Sequence, residues 1–193
     1  RNQSAIIAFK VSRKDYSGFH IAASHSDSPT LKIKESSEMN VENQYVKLNV
    51  EKYGGMLCAP WFDRPLSVAG RIIVKDGNRL TTKLINVDRD LLMIPNLAIH
   101  MNREVNDGYK YNIQKDMLPL YRMSNSGKAF KEMIAEEAGV SVDQIKGMDL
   151  FLYNRMEGTI WGCDGEFISA PRLDDLQCAF TSTMALLNSE SDR

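Results

Sequence analysis

The sequence predicts an α/β chain, α+β overall, in which short buried strands and a closing helix flank a mainly antiparallel β module. Three observations carry that expectation. Short, mainly apolar runs occur near the start, at residues 4–11 and 19–23, as in buried strands. From about residue 31 to 120, apolar and polar side chains alternate between turn signals, the pattern of half-exposed antiparallel strands. Helical spacing arrives late, at 128–138 and again from Leu176 onward.

Along the chain, Ser4-Ala5-Ile6-Ile7-Ala8-Phe9-Lys10-Val11 is expected to form a first buried strand. Asp15-Tyr16-Ser17-Gly18 then turns into a second, Phe19-His20-Ile21-Ala22-Ala23. The segment beginning at Ser24 would sit at the C-terminal end of a strand, where open α/β sheets place their ligands. Leu31-Lys32-Ile33-Lys34 and Val46-Lys47-Leu48-Asn49-Val50 alternate as antiparallel strands. Residues 69–75 lead through Asp76-Gly77, a hairpin turn signal, into 80–85. A helix over 128–138 sets Phe130, Ile134 and Ala138 on one face and stops at Gly139. Ser141-Val142-Asp143-Gln144 fits a capping box for a short second helix. Residues 149–153 form another strand, and Leu176, Phe180, Met184 and Leu187 recur at helical spacing. Asp174 then lies at or just before a helix start. The order suggests one domain inserted into another.

Composition excludes several classes. The chain has 24 basic and 25 acidic side chains and a net charge of -1, which gives no electrostatic case for nucleic acid or an anionic membrane. No apolar run approaches the roughly 20 residues that span a bilayer. No basic start followed by an apolar stretch marks a signal peptide. Cys58, Cys163 and Cys178 are odd in number and far apart, so free or buried thiols in a reducing, cytoplasmic compartment are expected. At 193 residues there is room for one domain, or one plus part of another. The chain begins at Arg1 without an initiator methionine and stops at Arg193. It is expected to be trimmed from a longer protein, or to be the visible part of one.

Chemistry concentrates in Ser24-His25-Ser26-Asp27-Ser28-Pro29 and Ala170-Pro171-Arg172-Leu173-Asp174-Asp175. His25 and Asp27 are two apart, so on extended backbone the imidazole and carboxylate share a face. Pro29 favours that extended path. Neutral imidazole suits zinc, and a nearby carboxylate can orient the ring. An H-x-D spacing alone is more often a polar loop. Asp174 at a helix start is more often a cap, and the alternative is a carboxylate bridging two metal ions with Asp175 as support. Glu136-Glu137 lies in an amphipathic helix and reads as a solvated face.

Resemblance narrows these alternatives. Residues 19–34, FHIAASHSDSPTLKIK, resemble the H-x-D-S-P segment of the aspartyl aminopeptidase family of metallopeptidases. So do Tyr53-Gly54-Gly55 with residues 61–71 (WFDRPLSVAGR), residues 94–100 (IPNLAIH) and residues 165–176 (GEFISAPRLDDL). These segments stand in family order and cover nearly the whole chain. The resemblance implies that His25 is a metal ligand, that Asp27 orients it, and that Asp174 bridges two zinc-type ions, with cobalt or manganese as alternatives. It implies an incomplete mixed-sheet catalytic domain at 1–30 and 169–193. Residues 31–168 would be the inserted β-rich oligomerisation domain. His100 corresponds to a histidine that reaches a neighbouring subunit's active site; by itself it reads as an ordinary loop histidine. His20 has no assigned role.

Family members continue beyond the Asp174 helix with a Glu-Glu pair, a further Asp and a final His, which supply the general base and the remaining ligands. None of that continuation is present here. The implied activity is removal of N-terminal residues from peptides, acidic ones by the family's name and neutral ones in some members, by a homo-oligomer. These 193 residues alone are expected to be inactive. A non-catalytic assembly module is the alternative. A co-catalytic deacylase or a general peptidase with the same type of catalytic domain is disfavoured by residues 61–71, which resemble this family's inserted domain.

Overall fold

Side-chain alternation at every second residue builds the central sheet. The computed structural model describes residues 4–11 and 15–190. Its contacts divide these into two units, one drawn from 1–28 and 158–193, the other being Pro29–Glu157.

Within Pro29–Glu157, strands β1 (Thr30–Val41), β2 (Tyr45–Tyr53), β3 (Leu66–Asp76), β4 (Arg79–Asn86), β5 (Leu120–Met123) and β6 (Ile145–Asn154) form one sheet in the order β4-β3-β6-β1-β2-β5. Every pairing named in it is antiparallel. The alternation read from sequence decides the faces. Leu31 and Ile33 of β1, Val46, Leu48 and Val50 of β2, and Leu66, Val68, Ile72 and Val74 of β3 are all buried. Each such side chain contributes about 1.5–3 kcal/mol on burial.

The β3–β4 hairpin forms as expected, with the turn shifted by one residue. Asp76 pairs with Arg79, so Gly77-Asn78 is the loop, and Gly77 takes φ 57° there. Gly70, in mid-β3, has φ 150°, and a Cβ at that position would lie 2.2 Å from the Asp149 carbonyl oxygen of β6. Only glycine fits so close to a neighbouring backbone.

Two described helices belong to this unit, the single turn α1 (Ile113–Asp116) and α2 (Phe130–Ala138). α2 starts two residues later than the spacing suggests. The Phe130 N–H donates to the Glu38 carboxylate at 2.7 Å, and the Ala129 N–H to Glu132 at 3.0 Å. Gly139 ends it in the left-handed region at φ 63°. Phe130, Met133, Ile134 and Ala135 pack into the core. Glu136 and Glu137 are solvated, as expected, and pair with Lys128 and Arg89. Ser141–Gln144 makes the anticipated capping box over one 3-10 turn, Val142–Gln144.

The other unit holds a two-stranded hairpin, β7 (Thr159–Trp161) with β8 (Phe167–Ser169), and the helix α3 (Leu173–Asn188). Here the sequence expectation is corrected. Residues 4–11 and 19–23 form no strand and are exposed throughout, Ile6 and Ile7 to more than 90%. A strand needs a neighbour to take its N–H and C=O groups, and no described strand pairs with either run. The Ser24 motif therefore follows coil rather than a strand end. No described residue of this unit is buried, whereas the whole buried core lies within Pro29–Glu157.

Candidate metal centre

Two segments of the smaller unit, distant in sequence, meet at His25. The first is residues 24–28, which lie in neither helix nor strand. The second is the head of α3, where Arg172 is left-handed at φ 64° and Asp174 (φ -87°, ψ 109°) and Asp175 (φ -121°, ψ 25°) are non-helical, so regular helix begins after them. The Asp174–Asp175 peptide is cis. The non-helical angles at Asp174 and Asp175 agree with the expectation that Asp174 stands at or just before a helix start.

Two hydrogen bonds, each between a backbone group and a side chain, join the two segments. The His25 N–H donates to Asp175 Oδ2 at 3.0 Å, and the Ser28 hydroxyl donates to the Asp174 carbonyl at 3.1 Å. On the side-chain level, His25 Nε2 lies 3.4 Å from Asp174 Oδ1 and 3.7 Å from Asp175 Oδ2. Its Nδ1 lies 3.0 Å from the Asp27 carbonyl oxygen and 3.4 Å from Asp27 Oδ1. The ring is thus addressed first by Asp27's backbone and then by its carboxylate.

Charge follows this geometry. The Nδ1 hydrogen bond to the Asp27 carbonyl holds the His25 pKa above its ordinary value; desolvation opposes this, and Asp175, Asp174 and Asp27 add to the rise. The Asp175 carboxyl is held below its usual range by a hydrogen bond from the Cys178 thiol and by the His25 N–H. That carboxylate in turn raises the Cys178 thiol. Asp175 is the enclosed member, its side chain 15% exposed, while Asp174's is 92% exposed. Sequence reasoning does not single out Cys178 as a member of this cluster. Its place three residues after Asp175, in the first turn of α3, is the signal that finds it.

An imidazole nitrogen and a carboxylate suit a zinc-type ion in kind. Zinc shells take four protein donors in structural sites and three in catalytic ones. Among the described residues no group of three or more His, Cys, Asp or Glu is gathered to hold a metal ion. Asp175 is turned toward the His25 backbone and Cys178, and Asp27 lies on the Nδ1 side. The Nε2 of His25 and the Asp174 carboxylate therefore make part of a shell and not a whole one.

His100 lies in the other unit, exposed, in the 3-10 turn Ile99–Met101. The loop leading to it is anchored at Asp63, itself left-handed at φ 55°. Asp63 accepts the Asn96 N–H at 2.9 Å and the Asn96 amide at 2.8 Å, and its own N–H donates to the Ile94 carbonyl at 2.9 Å. Both Asn96 hydrogen bonds hold the Asp63 carboxyl below its ordinary range. His20 is exposed in coil. All three cysteines are free thiols, Cys163 and Cys178 exposed and Cys58 partly covered.

Comparison with known proteins supplies the family. The probable M18 family aminopeptidase 2 of Clostridium acetobutylicum is 48% identical over 199 residues, covering 98% of this chain and 46% of its own length. The chain thus spans about half the length of that curated relative. Among solved structures, Chaetomium thermophilum mApe1 superposes with a TM-score of 0.74 at 32% identity, over 87% of this chain and 41% of its own. The S. cerevisiae mApe1 dodecamer gives a TM-score of 0.68 at 26% identity, over 88% of this chain and 40% of its own. A family model described as aminopeptidase I zinc metalloprotease (M18) matches residues 1–193. The chain belongs to the M18 family of aminopeptidase I zinc metalloproteases.

Proposed function

We propose that the whole protein is a metal-dependent aminopeptidase that removes N-terminal residues from peptides, acidic ones among them, in the cytoplasm. The observation that carries this reading is the meeting of His25 Nε2 and Asp174 Oδ1 at 3.4 Å in a chain of the M18 family. Two divalent ions, zinc in the first instance and cobalt or manganese as alternatives, supply the charge that polarises a peptide carbonyl and acidifies water when bound.

The residues of this chain divide the remaining work. His25 would hold an ion through Nε2, since with Nδ1–H donating to the Asp27 carbonyl the Nε2 lone pair is the one left available. The Asp27 carboxylate steadies the same edge of the ring. Asp174 would supply a carboxylate to the same ions, and Asp175 aligns the two segments by accepting the His25 N–H. The general base and the remaining ligands belong to sequence outside these residues, so this chain alone is inactive.

The protein works as a homo-oligomer, a reading supported by the dodecamer of its S. cerevisiae relative. In that assembly His100 serves a neighbouring subunit's substrate pocket. His100→Ala should then lower the rate of the assembled enzyme, and an unchanged rate would sink the cross-subunit role.

A second reading has its own observation. The whole buried core lies in Pro29–Glu157, so this unit has the means to fold as a non-catalytic assembly module. Mass measurement of the material, followed by aminopeptidase assay with zinc, cobalt or manganese, separates the readings. Turnover by a preparation containing residues 1–193 alone would defeat the claim of inactivity.

A further inference from the structure

We propose that β4 is a pairing edge for a second copy of this chain, joined antiparallel about a two-fold axis at Thr82. The proposal rests on the homo-oligomer reading above and deepens it. β4 ends the six-stranded sheet, with β3 on one side and no described strand on the other. Its residues 79–84 are all exposed, Leu80 to 66% and Leu84 to 84%. Long exposed edges carrying leucine are ready templates for another strand.

Hairpin geometry says which backbone groups face that edge. The β3–β4 loop has two residues, and Asp76 and Arg79 close it as a pair. A two-residue hairpin closes on a hydrogen-bonded pair, and bonded and non-bonded pairs alternate from there. Leu80, Thr82 and Leu84, opposite Lys75, Ile73 and Arg71, are therefore the non-bonded positions toward β3. Their N–H and C=O groups point outward. An antiparallel copy must set these three positions against one another.

Side chains then choose among the registers. Centring on Lys83 sets Lys83 against Lys83, and centring on Thr81 sets Arg79 against Lys83; like charges directly opposite destabilise a ladder. Centring on Thr82 sets Leu80 against Leu84 of the second copy twice over, and Thr82 against Thr82. Arg79 then faces Ile85, and Lys83 faces Thr81. Lys83 is in any case drawn aside, its ammonium donating to the Ala138 carbonyl at the end of α2 at 3.0 Å. A strand whose own sequence selects one symmetric register is self-complementary, as an isologous contact requires.

Cysteine cross-linking of the full-length protein tests this. Across the axis the two Thr82 Cα atoms would stand about 5.5 Å apart, inside the disulfide range of roughly 4.4–6.8 Å. Oxidised Thr82→Cys should run as a covalent dimer on a non-reducing gel. Leu84→Cys, offset from itself by roughly 13 Å along the strand, should stay at the parent's background. Thr82→Pro removes an outward N–H without breaking the β3 ladder, and should lower the oligomer mass in light scattering. Equal cross-linking by Thr82→Cys and Leu84→Cys would overturn the seam, as would an unchanged mass for a folded Thr82→Pro. Should Thr82→Pro fail to fold, the cysteine pair decides alone. An oligomer that shows no Thr82 cross-link defeats this seam only, whereas a monomeric parent defeats the assembly reading itself.

Discussion

His25 Nε2 and Asp174 Oδ1 stand 3.4 Å apart, one in a coil segment near the start of the chain and the other at the head of α3. Two backbone-anchored hydrogen bonds, His25 N–H to Asp175 and Ser28 to the Asp174 carbonyl, hold that juxtaposition. The side chains therefore meet where backbone-to-side-chain hydrogen bonds join their two segments.

If His25 is a ligand, His25→Ala in the full-length protein should lose bound metal and peptidase rate together. Loss of either partner of a shared shell typically costs far more than a peripheral contact. Elemental analysis of the purified variant beside a rate measurement checks this; full metal content with normal turnover would remove His25 from the shell.

Asp27→Asn should behave differently. The backbone carbonyl that meets Nδ1 at 3.0 Å survives the substitution, and only the carboxylate oxygen at 3.4 Å changes character. Metal should largely remain while the rate falls about 10–100-fold, the usual scale for partners that orient a ligand. A variant indistinguishable from the parent would mean that the backbone carbonyl does the orienting alone.

The anchor of the His100 loop has a pH signature. Asp63's carboxyl is lowered from 3.8 by the two Asn96 donors, so the folded form binds its proton less readily than the unfolded one. Its contribution is complete above the ordinary aspartate value and is lost as pH falls through the lower, folded value. Carboxyl NMR should show Asp63 titrating below 3.8. At neutral pH, Asp63→Ala should reduce hydrogen-exchange protection at the Asn96 amide about tenfold, the scale of one charge-assisted hydrogen bond. Titration at or above the ordinary value would contradict the clamp.

Gly70→Ala should be severe. The added methyl would meet the Asp149 carbonyl oxygen at 2.2 Å in the middle of the β3–β6 ladder, at a φ of 150° that other residues rarely adopt. A loss of about 3 kcal/mol or more is expected, in the tail reserved for backbone collisions in a core. Chemical denaturation or soluble yield reads it out; a melt within a degree or two of the parent would show that β3 and β6 separate more easily than their pairing suggests.

Much of the sheet was legible because burial on one face writes itself into alternate residues. Leu31 and Ile33, and likewise Val46, Leu48 and Val50, are buried in the rhythm their spacing predicts. Ile6, Ile7, Phe19 and Ile21 show the limit of that inference. An apolar run says what a segment would gain by burial, not whether a neighbour is at hand, and these four are exposed. The short β5, β7 and β8 carry too few residues for a period to emerge. At the site, spacing brought His25 and Asp27 together, and the family resemblance linked them to Asp174. The i to i+3 spacing at the head of α3 was the signal for Cys178 beside Asp175. Nothing in the spacing could reveal that Asp175 binds the His25 N–H, since that depends on how the head of α3 meets the 24–28 segment.

Anomalous diffraction at the zinc edge, from crystals of the full-length protein, tests the central claim most directly. A metal peak is expected at about 2.0–2.2 Å from both His25 Nε2 and an Asp174 carboxylate oxygen. A bound ion that touches neither residue would contradict it.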